Sequence, residues 1–316
     1  MKSQGIKINI QENVPLSPLT TFKIGGPARF FVEVSSEEEL IEALQYARNN
    51  DLRFFILGGG SNVLVNDAGF DGLVIRIRCI EFYVDVEKNK IKVGAGVSLA
   101  KVVKDSIANN FTGMEWAAGI PGTIGGAIRG NARAFGKNTG MTIESVSAFD
   151  INEMKEYVYA NEECQFEYFG SVFKLKPNLI ILSAVIKLEK GDKDKSWNEA
   201  MDIIKKRNVI HPQESSPGSF FLNPVVADEK LRMRFEKDTG NALRDEKIPA
   251  GWLIEEAGLK GKKMGGVMVS EKHANFVVNL GAGTAQDVMM LASLIKMKVR
   301  NEFGVQLKEE IQYVGF

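Results

Sequence analysis

Residues 113–136 read GMEWAAGIPGTIGGAIRGNARAFG and contain seven glycines. The glycines alternate with Ala, Ile and Pro rather than with Ser, Asp or Lys, so the stretch is too apolar for a flexible linker, and we expect it to be ordered and buried. Glycine at this density lets the backbone approach a ligand closely or adopt positive φ, and backbone N–H groups freed in this way bind phosphate. The stretch alone fits a nucleotide cofactor site and a tightly packed core crossover about equally well.

Composition limits the possible functions. A chain of 316 residues suggests two or three packed units. The chain has 40 Lys and Arg residues and 40 Asp and Glu residues, so its formal net charge is zero. This balance argues against a general nucleic-acid partner. The only cysteines, Cys79 and Cys164, have neither disulfide-framework nor metal-ligand spacing, so we predict a reducing compartment and no metal site. No apolar segment reaches the ~18 residues of a membrane span, and no signal peptide is evident. We therefore expect a cytoplasmic protein with no membrane partner.

Periodicity predicts alternating helices and strands in the first half of the chain. A capping box formed by Ser36 and Glu39 precedes a helical apolar pattern over residues 37–49. A strand over residues 54–57 then ends on a glycine turn, and a helix over 99–109 leads into the glycine-rich stretch. Further strands are predicted at residues 146–149, 156–159 and 180–188.

A charged segment at residues 191–194 is a plausible linker, and a connecting helix over 197–206 follows it. Residues 212–224 are rich in Pro, Ser and Gly and predict a loop. Beyond it we expect helices over 229–239, 250–257 and 286–303, the last capped by Thr284 and Asp287. Strands are predicted over 274–279 and 305–314.

The glycine turn at residues 58–62 is the second unusual glycine segment. No helix starts on it, its spacing is not that of a Rossmann turn, and it lacks the Walker lysine. It offers backbone donors, the Ser61 hydroxyl and the Asn62 amide, which suit a pyrophosphate, although the turn alone is more typical of an ordinary loop. Two glycine-rich segments separated by one α/β unit favour a flavin dinucleotide, which is long enough to be held at both ends.

Six motifs occur in the order found in one family. They are TTFKIGGPA (20–28), LGGGSN (57–62), AGIPGTIGGA (118–127), GSFF (218–221), AGWLIEEAGLKG (250–261) and VSEKHANF (269–276). On these motifs the chain resembles the UDP-N-acetylenolpyruvoylglucosamine reductases over nearly its whole length. The last three motifs distinguish this family from other flavoproteins with the same FAD-binding module.

The resemblance implies an α+β fold: a two-part FAD-binding module of the vanillyl-alcohol-oxidase (PCMH) type and a smaller α/β substrate-binding domain. We place the two FAD-binding subdomains at residues 1–78 and 79–190. The substrate domain is placed at 191–316, with a C-terminal strand returning to the active site. The implied reaction uses FAD and NADPH to reduce the enolpyruvyl ether of UDP-N-acetylglucosamine to UDP-N-acetylmuramate for peptidoglycan. The predicted FAD-binding residues are Leu57, Gly58, Gly59, Gly60, Ser61, Asn62, Gly119, Ile120, Pro121, Gly122, Gly125 and Gly126.

The resemblance also implies two catalytic residues. Ser219 matches the family's proton donor to C2 of the enolpyruvyl group, and a serine can serve only if its surroundings stabilise the alkoxide. Glu310 matches the terminal glutamate that assists formation and protonation of the enolate. We set its neighbour Glu309 aside because period two puts Glu309 on the face of Leu307 and Ile311.

Other polar residues of these motifs receive weaker roles. Lys272 and Asn275 are predicted to contact the UDP-sugar substrate. His273 and His211 receive no proton-transfer role, because a lone histidine is more often a structural hydrogen-bonding residue.

Three departures from the family pattern bear on activity. Phe169 replaces the arginine that steadies the substrate carboxylate, Leu222 stands where lysine is common, and Arg133 stands within NARA where NAGA is usual. A phenyl ring cannot reproduce the bidentate grip of a guanidinium. Arg129, Arg133 or Lys174 are candidate substitute cations.

Two alternatives to the reductase therefore stay open. One is an FAD-binding paralogue with lost or altered activity, favoured by Phe169. The other is an FAD-linked oxidase of a small alcohol or sugar, which the C-terminal motifs argue against. A monomer is the favoured oligomeric state.

Overall fold

The computed structural model describes residues 8–168, 170–243 and 245–316. The helices are α1 (Glu37–Asn49), α2 (Leu99–Ala108), α3 (Ile124–Gly130), α4 (Val172–Leu175), α5 (Lys193–Ile210), α6 (Glu229–Thr239), α7 (Ala250–Glu256) and α8 (Ala285–Phe303). The strands are β1 (Gln11–Pro15), β2 (Pro27–Val34), β3 (Phe54–Leu57), β4 (Val63–Val65), β5 (Phe70–Ile77), β6 (Phe82–Asp85), β7 (Lys90–Gly94), β8 (Phe111–Thr112), β9 (Arg133–Ala134), β10 (Lys137–Asn138), β11 (Ile143–Asp150), β12 (Lys155–Ala160), β13 (Leu179–Lys187), β14 (Glu189–Lys190), β15 (Lys263–Met264), β16 (Val267–Val269), β17 (Val277–Asn279) and β18 (Gln312–Val314).

The chain forms two compact units whose segments alternate along the sequence. The first unit contains residues 8–14, together with Ala28–Gly60 and Asp71–Arg207. The second contains Pro15–Pro27, Ser61–Phe70 and Asn208–Phe316. Neither unit ends at residue 78 or at residue 190, and the predicted three-part division stays a prediction. Most of α5 belongs to the first unit, and two short N-terminal segments belong to the second.

Two sheets organise the first unit. One has the strand order β1-β2-β5-β3, with β3 parallel to β5, and the other has the antiparallel order β12-β11-β13-β7-β6. Helix α1 has the predicted bounds because Ser36 accepts a hydrogen bond from the Glu39 N–H, and its apolar face is buried. The apolar positions of α2 are likewise buried. These helices and sheets share one core that includes Trp116, Phe149 and Phe173.

The second unit combines a small sheet with three helices. Strands β15, β16 and β17 form an antiparallel sheet, and β18 runs parallel to β4. The predicted capping box of α8 is confirmed, since the Thr284 hydroxyl accepts from the Asp287 N–H and the Asp287 carboxylate accepts from the Thr284 N–H. The unit's own core includes Phe220, Phe221, Leu253 and Ile295.

Several predicted elements have different bounds in the structure. The strand predicted over residues 305–314 is regular only as β18, and the strand over 274–279 only as β17. Helix α5 begins at Lys193, inside the segment predicted as a linker. Both cysteines are buried free thiols, and burial raises the pKa of Cys79 to about 11 and that of Cys164 to about 12. Across the described residues, no helix combines the length and apolar character that a membrane span needs.

Candidate functional site

The two glycine-rich segments meet inside the first unit. A Cβ on Gly59 would lie 2.6 Å from the Cα of Gly122, and a Cβ on Gly58 would lie 3.0 Å from the Thr123 Oγ1. At Gly59 a side chain is therefore excluded by backbone rather than by a movable side chain. Among the described residues, no protein acceptor bonds the N–H groups of Gly58, Gly59 and Gly60. The structure thus joins two segments that lie far apart in the sequence into one glycine cradle, formed by residues 58–60 and 119–126.

Backbone hydrogen bonds to the turn between β7 and α2 hold the second half of the cradle. Ile124 N donates to Val97 O at 2.9 Å, and Gly125 N donates to Ala95 O at 3.0 Å. A Cβ on Gly125 would meet the Ala95 side chain at 2.8 Å, so glycine is needed for this close approach. Contacts within the protein itself therefore fix the turn.

Burial along residues 113–136 is uneven, which corrects the expectation of a wholly buried stretch. Met114, Trp116 and Ala118 are buried, whereas Gly119 and Gly126 are exposed. The exposed residues belong to the cradle. Backbone at the surface without side chains is the arrangement that a phosphate-binding turn requires.

In the second unit, backbone hydrogen bonds bring together the segments that carry Ser219 and Glu310. Phe220 N donates to Asn275 O at 2.7 Å, and Glu310 N donates to Phe220 O at 2.9 Å. Ser219 itself forms a bridge with Phe276. Residues 219–222 therefore lie between the segment at 275–276 and the segment at 308–310, although Ser219 and Glu310 are far apart in the sequence.

The Asn275 side chain helps to hold this arrangement. Its Oδ1 accepts from Phe221 N at 2.9 Å and its Nδ2 donates to Phe221 O at 2.8 Å. Asn275 is also buried. Both polar ends of the Asn275 amide are thus bonded to the Ser219 segment, which gives the residue a positioning role, and its predicted contact with the substrate stays a prediction.

Asn62 also lies beside the Glu310 segment. Gln312 N donates to Asn62 O at 3.0 Å, and the Asn62 Nδ2 donates to Glu310 O at 3.4 Å. Ser61 and Asn62 begin the segment of the second unit that contains β4, whereas Leu57 and the three glycines belong to the first unit. The predicted FAD-binding set is thus divided between the two units.

Glu309 and Glu310 have different surroundings. The Lys296 Nζ lies 2.6 Å from the Glu309 Oε1. Burial, together with the nearby Glu309 carboxylate, holds the pKa of Tyr313 well above its usual value. Glu309 is thus committed to an ion pair, while Glu310 is half-buried and hydrogen-bonded through its backbone to Phe220.

The remaining polar residues of the motif at 269–276 lie at the edge of this site. Lys272 is exposed, and its Nζ donates to Asn208 O at 3.4 Å. The His273 Nδ1 accepts from Asn275 N at 3.2 Å, and its ring lies 4.9 Å from that of Phe276. Burial lowers the pKa of His273, so the ring is held neutral as a structural acceptor.

The altered family positions are placed as follows. Phe169 lies outside the described residues. Leu222 N donates to Lys308 O at 2.9 Å. The Arg133 guanidinium carbon lies 3.9 Å from the centroid of the Tyr168 ring. Burial lowers the pKa of Arg129, whose carbonyl oxygen accepts from the Ser171 hydroxyl at 3.0 Å.

One residue beside the cradle, Arg207, was not singled out from the sequence. It stands near the end of α5 among several lysines, and nothing in the local pattern distinguishes it from them. Only the packing of α5 against the Gly119 turn reveals its position.

The cradle and the second unit define the class of protein. A model of the FAD binding domain matches residues 28–152, and a model of the UDP-N-acetylenolpyruvoylglucosamine reductase C-terminal domain matches residues 211–314. This combination, on the α+β fold described above, is that of a flavin-dependent oxidoreductase. The predicted fold class is thereby confirmed.

Similarity over the full length identifies the family. The chain is 34% identical to the UDP-N-acetylenolpyruvoylglucosamine reductase of Solibacter usitatus, covering 100% of both chains. It is 36% identical to that of Caldanaerobacter subterraneus, over 96% of this chain and 93% of the relative. The solved structure of the Thermus caldophilus reductase (MurB) matches with a TM-score of 0.75 at 30% identity, covering 98% and 99% of the two chains. The chain belongs to the UDP-N-acetylenolpyruvoylglucosamine reductase family, as the six motifs predict.

Proposed function

We propose that this protein reduces UDP-N-acetylglucosamine enolpyruvate to UDP-N-acetylmuramate, with FAD as cofactor and NADPH as reductant, in the synthesis of peptidoglycan precursors. The observation that carries the proposal is the hydrogen bond from Glu310 N to Phe220 O. It puts the two residues predicted to carry the chemistry on neighbouring segments of one unit. The proposal includes a cytoplasmic location, where nucleotide sugars and NADPH are found, and a monomeric state.

The glycine cradle fits the dinucleotide that this reaction needs. Backbone without side chains at Gly58, Gly59, Gly60, Gly119 and Gly122 supports close approach of phosphate oxygens. When bound, FAD supplies hydride-transfer chemistry. Leu57, Ile120 and Pro121 supply the adjoining apolar wall in this proposal, and Ser61 and Asn62 supply polar groups.

The enolpyruvyl double bond is saturated when a hydride reaches C3 and a proton reaches C2. We assign the proton to the Ser219 hydroxyl and assign Glu310 to support the enolate during its formation and protonation. A serine hydroxyl is a weak acid, so its position must be fixed closely enough for proton transfer to compete with solvent. The backbone hydrogen bonds from Phe220 and the Asn275 amide supply that fixation.

The rival functions have less support. The case for an inactive paralogue depends on Phe169, whereas the predicted catalytic residues Ser219 and Glu310 are both present. The C-terminal domain match at residues 211–314 argues against a small-alcohol oxidase. Lys272 remains a proposed substrate contact, since its side chain is exposed at the edge of the site.

Flavin absorbance under anaerobic conditions tests the proposal. NADPH should bleach the FAD-loaded protein, and UDP-N-acetylglucosamine enolpyruvate should restore the colour. Ser219→Ala should bleach normally but recolour at least about 100-fold more slowly, because only protonation is lost. Ser216→Ala, in the same loop, is the matched control and should recolour at the wild-type rate. Normal recolouring by Ser219→Ala would remove Ser219 from the mechanism, and failure of the wild-type protein to recolour would overturn the proposed function.

A further inference from the structure

Arg207 lies in the first unit, and its guanidinium has N–H donors that form no hydrogen bond with the described residues. Its Nε and Nη2 are buried and have no hydrogen-bond acceptor among the described residues. Burial also lowers the pKa of Arg207, although an arginine remains protonated in proteins. Buried N–H donors without an acceptor are costly, so this position is suited to an anionic acceptor from outside the chain.

The guanidinium stem packs directly against the glycine cradle. A Cβ on Gly119 would lie 3.0 Å from the Arg207 Cδ and 3.7 Å from the Ile204 Cγ1. Gly119 has φ +76°, a backbone conformation that residues with a side chain rarely adopt. Arg207 is therefore held next to the exposed turn of the cradle by a contact that only glycine permits.

An aromatic ring in a strained turn holds the guanidinium in place. The Arg207 Cζ lies 5.2 Å from the centroid of Phe135, whose ring is largely exposed. Phe135 has φ +51° and is followed by Gly136 at φ +80°, in the two-residue turn between β9 and β10. Such turns favour Asn or Asp at the first position, and an aromatic residue there is unfavourable. The strain is consistent with a functional position for this ring.

We propose that Arg207 binds a diphosphate group at the glycine cradle, with Phe135 as the residue that positions it. A planar guanidinium offers paired N–H donors that match phosphate oxygens, and stacking on an aromatic face orients it without consuming those donors. This inference rests on the proposed function, which supplies two diphosphates, that of FAD and that of the UDP-sugar. The protein chemistry is the same for both sources.

Two binding measurements on the full-length protein separate the sources. The dissociation constant of FAD is measured by flavin fluorescence, and that of UDP by calorimetry on the FAD-loaded protein. In Arg207→Gln one of these dissociation constants should rise about 10- to 100-fold. In Arg207→Lys the same constant should rise less, because lysine keeps the positive charge but lacks the paired N–H donors of the guanidinium. Lys206→Gln removes the same charge from the adjacent exposed position and should change neither constant more than about twofold.

A rise for FAD assigns Arg207 to the cofactor, and a rise for UDP assigns it to the sugar nucleotide. Unchanged constants for both in Arg207→Gln and Arg207→Lys, or an equal effect of Lys206→Gln, would overturn the inference. In that case normal bleaching and recolouring of the wild-type protein would leave the proposed function standing. Conversely, the wild-type protein could fail to recolour while Arg207→Gln shows a clear loss of FAD binding. That result would overturn the proposed function and leave the role of Arg207 standing.

Phe135→Asn tests whether Phe135 positions Arg207. A purely structural role would change the melting temperature, whereas a positioning role changes the dissociation constant of the ligand. Asn suits the left-handed turn, so the melting temperature should stay the same or rise. The dissociation constant affected in Arg207→Gln should nevertheless rise about 3- to 10-fold, because the guanidinium loses its aromatic face. Wild-type affinity in this variant would overturn the role of Phe135.

Discussion

Asn275 shows how one side chain can set the geometry of a catalytic segment. Both ends of its amide are bonded to the Phe221 backbone, and the residue is buried. Asn275→Ala should lower the free energy of unfolding by about 2–5 kcal/mol, because it leaves a buried N–H and a buried carbonyl unsatisfied. Urea denaturation measures the change. Asn301→Ala, on the exposed face of α8, should change it by less than about 0.5 kcal/mol. Equal stabilities of the two variants would contradict the positioning role.

His273 gives the second unit a dependence on pH. Burial holds the pKa of the folded imidazole below the ordinary value of about 6.5 that the unfolded chain has. Below about pH 6.5 the unfolded state therefore binds more protons, and the free energy of unfolding falls as the pH falls. His273→Gln should show a shallower decrease between pH 7 and pH 5 in urea titrations. Parallel curves for the two proteins would show that the imidazole is not desolvated in the fold.

At the level of elements, the cradle depends on backbone contact between two turns. Gly59→Ala puts a Cβ 2.6 Å from the Gly122 Cα, so backbone must move. We expect a loss of about 1–3 kcal/mol in the free energy of unfolding and weakened FAD binding. Gly130→Ala is the control, since nothing lies within 4 Å of a Cβ there and the residue is helical. It should be neutral or stabilising by up to about 1 kcal/mol. Unimpaired FAD binding by Gly59→Ala would contradict the cradle.

At the level of the whole molecule, the second unit is built from separated parts of the chain. Phe22, Ile24 and Leu64 are buried in its core, and β4 pairs with β18. A fragment of residues 208–316 lacks these side chains and this pairing, each buried residue contributing about 1.5–3 kcal/mol. We expect the fragment to show no cooperative urea transition by circular dichroism, whereas the full chain shows one. A cooperative transition in the fragment would mean that the N-terminal segments are dispensable for this unit.

The sequence by itself determined the elements that local rules govern. Helices α1 and α6 have their predicted bounds because caps at Ser36 and Asp228 and the apolar period act within a few residues. The motifs were also sufficient to predict the family and the FAD-binding module, because a motif is recognised from residue identity alone. Ser219 and Glu310 were singled out on the same basis, while their catalytic roles remain proposals.

Only the tertiary structure decided what depends on contacts between distant segments. Residues 305–311 alternate in burial like a strand, yet their backbone bonds go to the Ser219 segment, which periodicity cannot reveal. The positioning role of Asn275 and the place of Arg207 beside Gly119 likewise arise from packing between segments far apart in the chain. Local propensity fixes where an element begins and ends, whereas partners and register depend on long-range burial and hydrogen bonding, which no short window of sequence contains.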